Sequence, residues 1–204
     1  MKKEFIPFSI VKENSIKLAY TIHKTGFIPD VIYVCLRGGA YIGNIISEYF
    51  KLIRKKENPP FYAAVVARSY FDSSKQGNVV VDGWTYNPEY LRYGEKILFI
   101  DDIFDSGYTI NHLIGIIIKK GIQKKDVKIA VHDYKKRLYK KNTLPIKPDF
   151  FCRLHKIKKA EDDIWFHYLS HELVGFSKKD LKKYFHDPDD QLINALNIIK
   201  DNLP

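Results

Sequence analysis

The feature that most constrains the fold is a strand, loop and helix pattern that begins at residue 97. Four apolar residues, 97–100, run directly into the acidic pair Asp101 and Asp102. A continuous apolar run of this length is typical of a strand buried on both faces of a parallel sheet. Small and hydroxyl-bearing residues follow at 105–109, and apolar residues then recur at helical spacing. The pattern therefore predicts a buried strand, a short polar loop and a helix, in that order.

The polar residues of this pattern lie where open α/β sheets bind ligands, at the carboxyl end of a strand. Carboxylates accept hydrogen bonds from sugar hydroxyls, and the N–H groups that open a helix, aided by Ser106 and Thr109, can bind a phosphate. A buried strand followed by a capped polar turn would explain the hydrophobicity, but not two adjacent acids whose charges repel. We therefore interpret the segment as a receptor for a ribose phosphate.

The rest of the chain alternates short apolar strands with amphipathic helices. Residues 69–93 are polar and predict a hairpin or a mobile loop around 79–81, and aromatic-rich strands follow residue 145. This alternation is typical of an α/β domain with a parallel core flanked by helices. We expect one domain over 1–176 and a charged helical extension over 177–204. Helices are predicted at 9–25, 40–54 and 110–120, and the remaining core strands at 31–35, 61–67 and 127–132.

Composition limits the other classes of protein. The chain has 204 residues, a formal charge of +10 and only two cysteines, so we expect no disulfide framework. It contains neither a run of eighteen apolar residues nor an amino-terminal signal peptide, which favours a cytoplasmic protein without a membrane partner. The positive charge suits polyanionic metabolites as well as nucleic acid, and most lysine pairs are interpreted as solvated faces.

The segment 97–109 resembles the signature of the type I phosphoribosyltransferases, which use 5-phosphoribosyl 1-pyrophosphate (PRPP). That pattern is four apolar residues, two acids, two apolar residues, Asp, Thr or Ser, Gly, any residue and Thr, and every position matches. The resemblance implies the family's α/β fold with a small hood, and Mg²⁺ bound partly through PRPP and water. It assigns the ribose and the metal to Asp101 and Asp102, and the acid/base role to Asp105. The residues implied for the 5′-phosphate are Asp105, Ser106, Gly107, Tyr108 and Thr109.

Two further segments resemble parts of the same kind of site. Leu36, Arg37, Gly38 and Gly39 follow the first core strand and resemble the pyrophosphate loop, in which the peptide matching Leu36–Arg37 is often cis. Glycines let a backbone approach an anion closely, and arginine adds charge-assisted hydrogen bonds. The second segment is similar to the start of the flexible loop that closes over PRPP and excludes water. It comprises Arg68, Ser69 and Tyr70.

Base choice is expected in the last third of the domain, where residues 145–170 resemble the hood of the 6-oxopurine enzymes. Trp165 matches the residue that stacks on the purine, and Phe166 matches the next, which offers its backbone to the base. Lys135, expected just past the strand ending at 132, resembles the lysine that reads the 6-oxo group. An ammonium donor there favours guanine, hypoxanthine or xanthine over adenine. Ile103 is expected to pack against the base.

Other functions remain open at this point. A PRPP-fold regulator that binds RNA would use the +10 charge, and a phosphoribosyltransferase for orotate or adenine would share the signature. Cys152, His155, His167 and His171 have ligand chemistry, but their spacing does not match the usual zinc motifs. We favour a purine salvage enzyme that forms homo-oligomers, as its relatives do, and we do not expect nucleic acid as a partner.

Overall fold

The computed structural model describes residues 2–54, 58–72, 75–139, 144–172, 183–184 and 189–201. The helices are α1 (Phe8–Lys24), α2 (Gly39–Ile53), α3 (Tyr108–Lys119) and α4 (Asp190–Asp201). The strands are β1 (Lys2–Ile6), β2 (Val31–Leu36), β3 (Phe61–Asp72), β4 (Lys75–Trp84), β5 (Ile97–Phe104), β6 (Val127–Arg137), β7 (Phe150–Ile157) and β8 (Ile164–Tyr168).

Six strands form the main sheet, in the order β4-β3-β2-β5-β6-β7. Every neighbouring pair is parallel except β3 and β4. The central strands β2 and β5 begin with buried apolar residues because helices cover both faces of the sheet. The α/β class with a parallel core is therefore confirmed.

Each face of the main sheet has its own apolar core. Helices α1 and α2 pack on one face, where Ile22 and Ile46 are fully buried with Leu98 of β5. Helix α3 packs on the other face, where Leu113 and Ile117 are buried in the same cluster as Phe99. Successive residues of β5 thus face opposite cores, as the two-residue period of a strand requires.

Two predicted strands are longer in the structure than the sequence suggested. The strand expected over 61–67 continues to Asp72, and the polar segment after it forms β4, so the hairpin alternative is confirmed. The strand expected to end at residue 132 continues to Arg137. Lys135 therefore lies within β6, paired with His155 of β7, and its expected position past the strand is wrong. Both extensions mix charged residues with aromatic ones, so neither continues the apolar run from which the strand was predicted.

The two aromatic-rich strands after residue 145 lie in different sheets. Strand β7 joins β6 in the main sheet, and β8 pairs in parallel with β1 to form a separate small sheet. Strand β1 was not predicted, because three of its five residues are charged and the apolar pattern is too short. The small sheet, β1 with β8, lies against the α1–α2 core through Ile6, Phe166 and Tyr168.

The charged extension is described in part. Residues 190–201 form α4, as the helical prediction for the extension requires, whereas 177–182, 185–188 and 202–204 lie outside the described residues. Within the described ranges, no helix combines the length and the apolar character needed to cross a membrane.

Candidate active site

The predicted site residues lie at a switch point of the main sheet, between β2 and β5. Strand β2 connects through α2 to β3 on one side, whereas β5 connects through α3 to β6 on the other. The loops that leave the two strands therefore diverge and open a crevice beyond their carboxyl ends, where ligands of doubly wound sheets bind. The fold thus brings the 36–39 and 105–109 loops to the same crevice.

The acidic pair lies at the end of β5 in this crevice. Both side chains are partly buried, and the main-chain N–H of Asp102 donates to the Asp101 carboxylate at 3.0 Å. Burial, together with the charge of Asp102, raises the pKa of Asp101 well above its usual range. The pair is thus a concentration of negative charge that a cation or hydroxyl donors would stabilise.

The loop after β2 lies directly against this pair. A Cβ atom on Gly38 would lie 2.4 Å from the Asp102 carboxylate, and one on Gly39 would lie 2.4 Å from the Ile100 carbonyl oxygen. Only glycine fits at such distances, so the two glycines are explained by close approach. The Leu36–Arg37 peptide is cis, as the family resemblance implied, and the Arg37 side chain is exposed.

The loop after β5 has the geometry of a phosphate cradle. Gly107 adopts the left-handed conformation with φ of 78°, and a Cβ atom there would lie 2.3 Å from the Phe104 ring. Gly107 is also the N-cap of α3, and it has no side chain to accept from the first-turn N–H groups. Those donors, with the neighbouring hydroxyls of Ser106 and Thr109, can bind an anion at the positive end of the helix dipole.

Asp105, the predicted acid/base, is bonded to an arginine that the sequence analysis did not single out. The Arg137 guanidinium contacts the Asp105 carboxylate closely and donates to Asp163 through Nε at 2.9 Å. Burial alone would lower the pKa of Arg137, but its bonds to the two carboxylates raise it above the usual value. Arg137 thus joins the β5 loop to the residue that precedes β8. The sequence signal that could have identified Arg137 is the run of charged residues at the carboxyl end of a strand next to β5.

The predicted purine-binding residues differ in exposure. Lys135 is 5% exposed, and its Nζ lies 3.0 Å from Asp163 and 5.4 Å from the centre of the Phe166 ring. Phe166 is also 5% exposed, whereas Trp165 on the other face of β8 is 49% exposed. Ile103 is partly buried against the α1–α2 core. An exposed indole can stack on a ligand, and the ring of Phe166 is already enclosed by the protein.

The predicted flexible-loop residues lie in β3. Arg68 forms a bidentate pair with Asp82 of β4, with N–O distances of 2.6 and 2.7 Å. Ser69 and Tyr70 pair with β4 through their backbones, and their side chains lie outside what the structure describes. Arg68 is exposed, so its pair with Asp82 is screened by solvent and opposes rearrangement only weakly.

The four residues with zinc-ligand chemistry have separate surroundings. His155 contacts Asp133, and His171 contacts Asp102. His167 Nδ1 lies 3.2 Å from Glu172, and Cys152 lies 3.5 Å from the Asn14 carbonyl oxygen. Burial raises the pKa of the Cys152 thiol to about 12. Across the described ranges, no three or more His, Cys, Asp or Glu side chains are grouped to hold a metal ion.

A group of polar residues lies behind the acidic pair, and sequence reasoning did not connect it with the site. Tyr168 contacts both Asp133 and the main chain of Asp102, and His171 lies 3.3 Å from the Asp102 carboxylate. These residues come from β6, β8 and the turn after β8, and they belong to none of the family motifs in the sequence. Only the tertiary structure brings them to Asp102.

The fold places the 36–39 and 105–109 loops together at one switch point of the main sheet, where sheets of this class bind ligands. The sequence profile of the family described as "Phosphoribosyl transferase domain" matches residues 9–167, and the chain belongs to this family. Curated relatives include the hypoxanthine-guanine phosphoribosyltransferases of Bos taurus and Mus musculus, 25% and 24% identical over 134 residues. Each match covers 64% of this chain, and the chain spans about 60% of the length of these relatives.

Solved structures with a similar fold include the following three. A purine phosphoribosyltransferase from Pyrococcus horikoshii superposes with a TM-score of 0.63 at 18% identity, covering 87% of this chain and 99% of that one. A hypothetical protein from Neisseria gonorrhoeae with bound ppGpp has a TM-score of 0.61 at 19% identity, with coverages of 96% and 98%. The xanthine-guanine-hypoxanthine phosphoribosyltransferase of Helicobacter pylori gives 0.55 at 19%, with coverages of 81% and 92%. The expected resemblance to the 6-oxopurine enzymes is thereby confirmed.

Proposed function

We propose that the protein transfers the phosphoribosyl group of PRPP to a 6-oxopurine, giving the purine nucleoside 5′-monophosphate and pyrophosphate. The observation that carries the proposal is the contact between Gly38 and Asp102, because it joins the loop after β2 to the acidic pair. PRPP has a pyrophosphate at one end of its ribose and a phosphate at the other. Two anion-binding loops on either side of two carboxylates match that order of groups.

Each part of the site is assigned to the chemical group of PRPP that it would bind. Asp101 and Asp102 bind the ribose 2′- and 3′-hydroxyls, and they stabilise the positive charge that develops on the sugar as pyrophosphate leaves. The loop from Leu36 to Gly39 binds the pyrophosphate through its main chain and Arg37. The 5′-phosphate binds at the start of α3, between Asp105 and Thr109, as the left-handed Gly107 favours.

The acidic pair also fits a magnesium ion. Mg²⁺ prefers hard oxygen ligands and is usually held by one or two carboxylates together with water and substrate phosphates. Burial and the neighbouring charge of Asp102 raise the pKa of Asp101, and a bound cation would offset both effects. Asp101 and Asp102 would hold the ion partly through PRPP and water, and it would neutralise charge on the departing pyrophosphate.

Asp105 is the acid/base of the proposed reaction. As N9 of the base forms a bond to the anomeric carbon, the bond to the pyrophosphate oxygen breaks and its electron pair leaves with pyrophosphate. Asp105 accepts the proton that N7 loses. Its side chain is 45% exposed and hence accessible to a base, and Arg137 fixes its orientation from the protein side.

The base is held by residues around β8. Trp165 stacks on the purine, Phe166 contributes its main chain, and Ile103 packs against the ring. A stacked base contributes roughly 1–3 kcal/mol. Lys135 donates to the 6-oxo group with the N–H bonds that Asp163 does not take, since an ammonium has three donors. The β3–β4 hairpin, with Arg68, Ser69 and Tyr70, closes over PRPP during turnover.

A guanosine tetraphosphate is a second candidate ligand. The Neisseria gonorrhoeae protein with bound ppGpp is similar along 96% of this chain. The two loops that we assign to the phosphates of PRPP could hold the two pyrophosphate groups of such a nucleotide. Adding ppGpp to the protein with PRPP should then raise the apparent KM for PRPP without lowering kcat. A fall in kcat at saturating PRPP would contradict a shared site.

The test of the main proposal is turnover with each base in turn. The protein is mixed with PRPP and Mg²⁺, and guanine, hypoxanthine, xanthine, adenine or orotate is followed by absorbance. We expect turnover with one or more of guanine, hypoxanthine and xanthine, and none with adenine or orotate. Turnover with adenine or orotate alone would assign another base, and a protein that binds RNA but turns over none would favour the regulator. A homo-oligomeric state and a cytoplasmic location remain predictions.

A further inference from the structure

A buried carboxylate lies behind the acidic pair, and the proposed reaction does not use it. Asp133 of β6 is fully buried, and four donors surround it. His132 Nδ1 lies at 2.6 Å, His155 Nε2 at 2.5 Å, Tyr168 Oη at 2.7 Å and Arg153 Nε at 3.3 Å. Burial alone would raise the pKa of Asp133, but the bonds from His132 and His155 hold it well below its usual value. The group is therefore an ionised carboxylate held rigidly inside the fold.

His132 ties this carboxylate to the first helix. Its Nδ1 lies 2.6 Å from the Asp133 carboxylate, and its Nε2 lies 3.0 Å from the side-chain amide of Asn14. Asn14 belongs to α1. The carboxylate is thus tied both to a helix and to the sheet, and it cannot shift without breaking several bonds.

Tyr168 links this fixed group to the site. Its hydroxyl lies 2.7 Å from Asp133 Oδ2 and 3.1 Å from the main-chain oxygen of Asp102. A phenol has one proton, so it donates to one of these two oxygens at a time. The ring is 1% exposed and cannot move away. The hydroxyl is therefore a fixed donor beside the backbone that carries the Asp102 carboxylate.

Asp102 needs such support because β5 loses a neighbour there. The pairing of β5 with β2 ends at Ile100, opposite Val34, whereas its pairing with β6 continues to Phe104. The turn after β8 adds a second contact, since His171 lies 3.3 Å from the Asp102 carboxylate and its ring stacks on Tyr168 at 5.5 Å. The end of β8 thus contacts both the backbone and the side chain of Asp102.

We propose that Tyr168, held by Asp133, is a positioning residue that fixes Asp102 for binding the ribose of PRPP. This inference rests on the proposed function for its ligand. It adds a role for β8 that differs from base recognition. Trp165 on one face of β8 would serve the purine, and Tyr168 on the other would serve the sugar end of PRPP.

The experiment compares Tyr168→Phe with Tyr33→Phe. Tyr33 is a matched control, because it is also fully buried and its hydroxyl donates to a main-chain oxygen, that of Tyr86, at 3.0 Å. Both changes delete one buried hydroxyl without altering the ring. PRPP binding in Mg²⁺ is measured by calorimetry, KM for PRPP and for the base by turnover, and folding by thermal melting.

Tyr168→Phe should raise the Kd and KM for PRPP about fivefold, the loss expected for one hydrogen bond, and leave KM for the base unchanged. Tyr33→Phe should leave the Kd for PRPP and both KM values unchanged. It should lower the melting temperature by about as much as Tyr168→Phe does. Equal PRPP affinity in the two variants would overturn the inference, as would failure of Tyr168→Phe alone to fold, which would make its role one of stability. If the unaltered protein did not bind PRPP, the proposed function itself would be wrong.

Discussion

Replacing Gly38 with alanine tests the close contact between the proposed pyrophosphate loop and the acidic pair. The backbone there has φ of −57° and ψ of −43°, which alanine adopts without strain, so the effect is steric. The new Cβ atom would lie 2.4 Å from the Asp102 carboxylate, and ordinary contact begins at 3.4 Å. The loop or the carboxylate must therefore move by about 1 Å, and a misplacement of that size reduces catalysis by roughly a hundredfold. This corresponds to about 2.7 kcal/mol of transition-state stabilisation.

The assay is kcat/KM for PRPP in Gly38→Ala, compared with Gly115→Ala. Gly115 lies in α3 with nothing within 4 Å of an added Cβ, so alanine there should leave turnover unchanged and stabilise the helix by about 1 kcal/mol. A Gly38→Ala protein with near-normal kcat/KM would refute the reasoning, because the loop and the carboxylate would then not form one site.

Three further predictions concern charge. Asp105→Asn should reduce kcat strongly and leave the calorimetric Kd for PRPP within about twofold; an unchanged kcat would reject its acid/base role. Burial alone would raise the pKa of Asp163, but its bonds to Lys135 and Arg137 lower it. These bonds therefore stabilise the fold at a pH above about 4, the pKa of an aspartate in the unfolded chain. The stabilisation is lost as the pH falls through the lower pKa that Asp163 has in the folded protein. The gap in unfolding free energy between the unaltered protein and Asp163→Asn should be constant from about pH 7 to 5 and shrink below about pH 4; a gap that does not change with pH contradicts this pairing. Chelation of Mg²⁺ with EDTA should abolish PRPP binding, and binding that survives would reject the metal role of the acidic pair.

The local sequence pattern was sufficient to predict those parts of the candidate site that lie on one continuous segment. Residues 97–109 carry their strand, loop and helix start in consecutive positions, so each could be placed from sequence. The same holds for Gly38 and Gly39, whose need for close approach follows from their place after a buried strand. These elements meet at the switch point because the fold class dictates the strand order.

The parts that were missed depend on contacts between distant segments. Arg137 reaches Asp105 only because β6 extends five residues beyond its apolar run and lies beside β5. The pairing of β1 with β8 joins residues more than 150 positions apart, and neither strand has a pattern that specifies its partner. Polar networks such as that of Asp133 likewise leave no periodic signal, since their members come from separate elements.

Phosphorus NMR of the protein with PRPP, Mg²⁺ and an equal mixture of guanine, hypoxanthine and xanthine tests the proposed transfer. The PRPP resonances should disappear, and pyrophosphate and nucleoside 5′-monophosphate should appear in equal amounts. PRPP that remains unchanged, or pyrophosphate released without a nucleotide, would contradict the proposed transfer to a 6-oxopurine.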